Sequence, residues 1–129
     1  DDFDHPNGLA FSPDEKQLFI ADSGATEGAG RPKHIRRFDV RPDGTLSPDS
    51  VVFATCPAGF FDGFRIDRAG RVWASSAEGV QCYSPEGRLI GRVRVPEMVA
   101  NLTFGGRMRN RLFICGTTSL YAVYLKING

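Results

Sequence analysis

The feature that most constrains this chain is a threefold repeat in which a short polar residue opens a pair of strands. The segments Asn7-Gly8-Leu9-Ala10-Phe11, Asp62-Gly63-Phe64-Arg65-Ile66 and Asn101-Leu102-Thr103-Phe104 each begin on an amide or a carboxylate and run into β-forming residues. A second apolar run follows each of them, at 17–20, 71–74 and 111–114. The offset from the polar residue to the first apolar residue of that run is 11, 10 and 11 residues. A third run follows in every unit (34–40, 79–83, 119–125), and a fourth in the first two (50–54, 89–95).

Turn signatures punctuate these runs at Ser12-Pro13-Asp14-Glu15, Arg41-Pro42-Asp43-Gly44, Asp67-Arg68-Ala69-Gly70 and Ser84-Pro85-Glu86-Gly87. About ten short strands at a spacing of roughly 8–12 residues, with no sustained helical period, make the chain all-β. Strands recurring in fours, in units of about 40–45 residues, mark the blades of a β-propeller. A sandwich or barrel would explain the hairpins but not the repeated registration of the polar start. The expectation is one β-propeller segment over residues 1–129, with three blades at about 6–55, 61–95 and 99–127. Equivalent strands should then pack between blades, which places Phe11, Leu18, Ile20, Trp73, Phe104, Phe113 and Ile114 in the core.

In a propeller the first strand of each blade is innermost, so Asn7, Asp62 and Asn101 would share a position at the central channel. Oxygen donors from separate blades suit a hard cation such as Ca²⁺, and not zinc, which prefers His and Cys. The same residues have a second reading, because Asn-Gly and Asp-Gly are good turn dipeptides. The serines Ser12, Ser23, Ser75 and Ser119 have no His–Asp arrangement near them in sequence, which leaves a Ser–His–Asp hydrolase unsupported. His5 and His34 read as loop and strand-edge residues, and Arg88, Arg92 and Arg94 as a solvated strand face.

Charge and cysteines narrow the partners. Sixteen Lys and Arg against fifteen Asp and Glu leave a net charge of +1, which gives no reason to expect nucleic acid or an anionic membrane. No apolar run approaches the roughly 18–20 residues of a membrane helix, and the first residues do not resemble a signal peptide. Cys56, Cys82 and Cys115 are odd in number and form no C-x-x-C pair. Cys82 and Cys115 lie in apolar runs and are expected to be buried, which fits a reducing, cytoplasmic setting.

The segments Pro6-Asn7-Gly8-Leu9-Ala10-Phe11-Ser12-Pro13-Asp14-Glu15 and Leu18-Phe19-Ile20-Ala21-Asp22 resemble the gluconolactonase/regucalcin (senescence marker protein) family. The likeness continues through Asp62-Gly63-Phe64-Arg65-Ile66-Asp67, Gly70-Arg71-Val72-Trp73, Ser84-Pro85-Glu86-Gly87-Arg88-Leu89-Ile90-Gly91 and Asn101-Leu102-Thr103-Phe104-Gly105-Gly106. The resemblance is to the C-terminal half of a bacterial gluconolactonase. It implies half of a six-bladed propeller, a divalent metal (usually calcium) in the channel, and hydrolysis of sugar lactones or related esters. The family's metal-binding asparagine matches Asn7, and its metal-binding aspartate, credited also as general base, matches Asp62. Asn101 matches a common residue at the channel end of its blade, where it would contact ligand or substrate. Asp22 matches a recurrent position with a structural role.

Two departures stand out. The family's Pro-Asp-Gly is Phe61-Asp62-Gly63 here, which gives up a fixed φ before the aspartate. The family's metal-binding glutamate, which comes from earlier blades, has no counterpart in this sequence. The expectation is therefore a calcium-dependent lactonase or esterase whose site is completed by a partner or by a preceding half. The rival is a non-catalytic half-propeller that binds or interacts. Two copies would make six blades, so a homodimer closing the ring is expected, with the segment 1–5 donating the last blade's fourth strand.

Overall fold

The computed structural model describes residues 2–129 as three antiparallel sheets in chain order, three blades of a β-propeller. The first blade is β1 (Pro6–Phe11), β2 (Gln17–Asp22), β3 (His34–Val40) and β4 (Leu46–Thr55). The second is β5 (Phe64–Ile66), β6 (Val72–Ser76), β7 (Gly79–Tyr83) and β8 (Leu89–Arg94). The third has β9 (Val99–Gly105), β10 (Arg111–Gly116) and β11 (Leu120–Tyr124), without a fourth strand among the described residues. A 3₁₀ turn, Gly24–Thr26, interrupts the β2–β3 connection. No helix among the described residues is long and apolar enough to cross a membrane.

The turn signatures act through one device. Gly44, Gly70 and Gly87 each donate back three residues, to Arg41, Asp67 and Ser84, with φ of 82°, 77° and 89°. Such φ values suit glycine, which has no Cβ to clash. The equivalent Glu15 donates to Ser12 and holds φ 57° without that freedom.

The core lies between blades, because a sheet buries alternate residues on each face. Phe19, Ala21, Ile35 and Phe53 of the first blade meet Phe64, Val72, Ala74 and Tyr83 of the second. On the second blade's other face, Trp73, Val80 and Cys82 meet Leu102, Phe104, Leu112 and Ile114 of the third. The middle blade is thus covered on both sides, and every residue of β6 and β7 is buried.

This alternation corrects part of the expected core. Trp73, Phe104 and Ile114 do pack between blades. Phe11 is 48% exposed, and Leu18, Ile20 and Phe113 are only partly covered. Phe11 pairs with Leu18 and Leu9 with Ile20, on the face of the first blade turned away from the second. Cys115 is likewise exposed, since Leu112 and Ile114 take the inward positions of β10, whereas Cys56 and Cys82 are buried.

The segment expected to donate a strand is occupied on its own first blade; Asp1 lies outside the described residues. The Phe3 ring packs 5.9 Å from Phe38, and Arg36 lies over both rings. Asp2 pairs with Arg36, and Asp4 with Arg31.

Candidate active site

The three polar starts stand on neighbouring innermost strands. The Gly8 amide donates to the Asp62 carbonyl at 3.2 Å, and the Gly63 amide to the Ala100 carbonyl at 2.8 Å. These bonds stitch β1 to the entry of β5, and that entry to β9. Asn7, Asp62 and Asn101 are therefore brought to one inner edge.

The stitching removes the turn reading of the Asn-Gly and Asp-Gly dipeptides. Neither Gly8 nor Gly63 has a positive φ, and Asn7 and Gly8 lie within β1, so neither pair forms a turn. The glycines are there for close approach. A Cβ on Gly8 would sit 2.2 Å from the Asp62 carbonyl oxygen, and one on Gly63 2.2 Å from Asn101 Oδ1.

Asp62 is half-buried and Asn7 exposed. Burial holds the Asp62 carboxyl above the usual carboxylate range, and the Asn7 side chain beside it pulls the other way. No cation pairs with Asp62 among the described residues. A desolvated carboxylate beside a neutral side-chain amide, with no basic side chain paired to it among the described residues, is chemistry of the kind a hard divalent cation takes. Asn101 is exposed, and its Oδ1 accepts from the Leu102 amide at 2.9 Å. It shares a cavity of about 340 Å³ with Arg65, a residue that no pattern in the sequence singles out. A larger cavity of about 650 Å³, between the β2–β3 connection and Gly59, is lined by none of the three.

The remaining polar residues build the frame. Asp22 is buried and accepts from the amides of Asp4 and His5, each at 2.9 Å, which fixes the approach to Asn7 and matches its expected structural role. Ser23 donates to the Phe61 carbonyl, and Ser75 Oγ accepts from the Asp62 amide at 2.9 Å. Among the described residues neither serine hydroxyl bonds a histidine ring; His5 Nε2 lies 3.9 Å from Glu27 instead. Phe61 itself is fully buried, its ring edge-on to Tyr83 at 5.8 Å. Packing thus restrains the residue before Asp62 where the family's proline would fix φ.

Residues 1–118 match the family described as the SMP-30/gluconolactonase/LRE-like region. The chain belongs to this family. A gluconolactonase of Zymomonas mobilis is 27% identical over 133 residues, covering 96% of this chain and 36% of that protein. The solved structure of a gluconolactonase from Xanthomonas campestris is 40% identical with a TM-score of 0.83, covering 96% of this chain and 39% of that one. A calcium-binding regucalcin from Agrobacterium tumefaciens is 27% identical with a TM-score of 0.74, covering 88% and 38%. The chain spans well under half the length of these SMP-30/gluconolactonase relatives.

Proposed function

We propose that this chain carries part of the active site of a divalent-metal-dependent, most readily calcium-dependent, hydrolase of sugar lactones or related esters. The observation that carries the reading is the pair Asn7 and Asp62 on adjacent blades, a carboxylate desolvated without a cation beside a neutral amide. Asn7 and Asp62 would hold the metal, and Asn101 would face substrate at the channel end of its blade. When bound, the metal supplies Lewis acidity toward the lactone carbonyl.

Asp62 is the one acid–base group of the three. Its carboxylate would take a proton from the attacking water as the water oxygen bonds to the carbonyl carbon. The ring C–O bond then breaks, and the same carboxyl returns the proton to the leaving alkoxide. The product is the open hydroxy acid. Asn7 offers a neutral oxygen and so orients without exchanging protons.

In this reading the site is completed by further blades, supplied by a preceding half or by a second copy that closes the ring. The exposed faces of the first and third blades, with Leu9 and Phe11 on one and Leu120 and Tyr124 on the other, support a need for cover. Lactone opening followed by acid release, with calcium and then with a chelator, tests the reading. Hydrolysis that requires calcium and is lost in Asp62→Asn is expected. Turnover unchanged in that variant would remove Asp62 from the chemistry, and a folded chain without turnover, whether alone or with the blades that complete it, would favour a binding module.

A further inference from the structure

Two peptide groups flank the Asp62 Cα, and each is held at both ends. The first joins Phe61 to Asp62. Its carbonyl accepts from the Ser23 hydroxyl at 2.5 Å, and its N–H donates to Ser75 Oγ at 2.9 Å. The second joins Asp62 to Gly63. Its carbonyl accepts from Gly8, and its N–H donates to Ala100. With both planes clamped, φ and ψ of Asp62 have no freedom, and the direction of its Cα–Cβ bond is set.

The second plane is held by backbone groups, which no exchange of side chain short of proline removes. The first is held by two side chains from different blades. Ser23 follows β2 of the first blade and Ser75 lies in β6 of the second, and they are 1% and 0% exposed. Each is also anchored by its own amide, Ser23 to the His5 carbonyl at 2.9 Å and Ser75 to the Gly63 carbonyl at 3.0 Å. A buried hydroxyl kept rigid in this way is a positioning device, because it ties the peptide before Asp62 to the first blade at Ser23 and to the adjacent strand of its own blade at Ser75.

We infer that Ser23 and Ser75 are positioning residues for Asp62, acting through the peptide that precedes it. Here these serines have no nucleophilic part. The inference rests on the reading of Asp62 as the metal ligand and base, and it names which residues give that carboxylate its direction. Groups that orient a ligand from behind typically change metal affinity by about 10–100-fold when removed.

Ser76 supplies the control. It is equally buried on the same strand, and its hydroxyl donates to the Gly79 carbonyl at 3.0 Å, away from Asp62. Ser23→Ala, Ser75→Ala and Ser76→Ala are compared by terbium titration and by NMR HN–Hα couplings that report φ averaging at Asp62. Urea midpoints confirm that each variant is folded, and Ser23→Ala carries the test if Ser75→Ala does not fold. Ser23→Ala and Ser75→Ala should weaken terbium binding by about 10–100-fold and average the Asp62 φ. Ser76→Ala should do neither, even where its loss of stability is the same. Asp62 couplings and terbium affinity in both variants matching those of Ser76→Ala would overturn the inference. If Asp62→Asn leaves terbium binding untouched, the metal reading has failed, and the couplings alone decide the positioning role.

Discussion

Gly63 approaches Asn101 so closely that a Cβ on the glycine would lie 2.2 Å from the Asn101 Oδ1 and 3.0 Å from its Cα. Two of the three repeated polar starts are therefore in contact through the space where a side chain would be. At Gly8 the obstacle is the Asp62 carbonyl oxygen, also at 2.2 Å, which is backbone and cannot rotate away.

The two glycines should consequently respond differently to alanine. Both variants overpack the site and should cost about 1–3 kcal/mol or more, with Gly8→Ala the worse. Adding Asn101→Ala should recover part of the loss in Gly63→Ala and none in Gly8→Ala. Urea denaturation of the single and double variants reads this coupling, and equal recovery in both would place the obstacle elsewhere.

These contacts mark the limit of what the sequence disclosed. The blades were legible because turn residues and strand runs repeat in register, and the polar starts because they repeat with them. The reason for Gly8 and Gly63 was not, since a glycine needed for close approach reads the same as one needed for a turn. Nor was the outward turn of Phe11 and Cys115, which depends on which face of a terminal blade meets its neighbour. Ser23 and Ser75 were visible only as serines without a histidine partner, because hydrogen bonds to a peptide 38 and 13 residues away leave no local pattern.

The Asp62 carboxyl gives a pH signature. Burial raises its folded pKa above the unfolded value, so the folded state binds more protons in the interval between them. Its contribution to stability therefore falls as pH rises through that interval, then levels. In metal-free buffer, Asp62→Asn should gain on the parent chain as pH rises through and above the ordinary carboxylate range, followed by thermal unfolding. Calcium should then stabilise the parent and not the variant. A stability difference independent of pH would mean that the carboxyl is not desolvated.

Asp67 is a different kind of carboxylate. Fully buried, it accepts from the Ala69 amide at 2.9 Å, the Arg71 amide at 3.0 Å, Arg71 Nε at 2.7 Å and Trp73 Nε1 at 2.9 Å. Asp67→Ala leaves these donors without a partner and should cost about 3–5 kcal/mol. Trp73 is the single tryptophan, so its fluorescence reports both the unfolding transition and the loss of the indole hydrogen bond. A cost below about 1 kcal/mol would show that water replaces the carboxylate.

Glu15 occupies the turn position that glycine holds at 44, 70 and 87, with φ 57°. A left-handed conformation in a residue with a Cβ is strained, and replacement by glycine relieves it. Glu15→Gly should therefore stabilise the chain by about 1 kcal/mol after the added freedom of the unfolded state is counted. A destabilising Glu15→Gly in urea unfolding would show that the side chain makes a contact worth more than the strain.

Cys115 can report whether a second copy covers the third blade. It lies on the outer face with Leu120 and Tyr124, which are 69% and 71% exposed, while Cys56 and Cys82 are buried. Burial raises the pKa of Cys56 and pushes that of Cys82 up to about 11, which leaves both thiols protonated as well as inaccessible near neutral pH. In dilute solution one thiol should react quickly with a disulfide reagent, and the other two only on unfolding. If two copies close the ring, the outer face of each third blade meets the first blade of its partner, where Leu9 and Phe11 stand exposed. Cys115 should then become protected as concentration rises, in step with a doubling of mass by light scattering. Labelling that stays equally fast at every concentration would exclude closure by a second copy and leave blades of another chain segment as the cover.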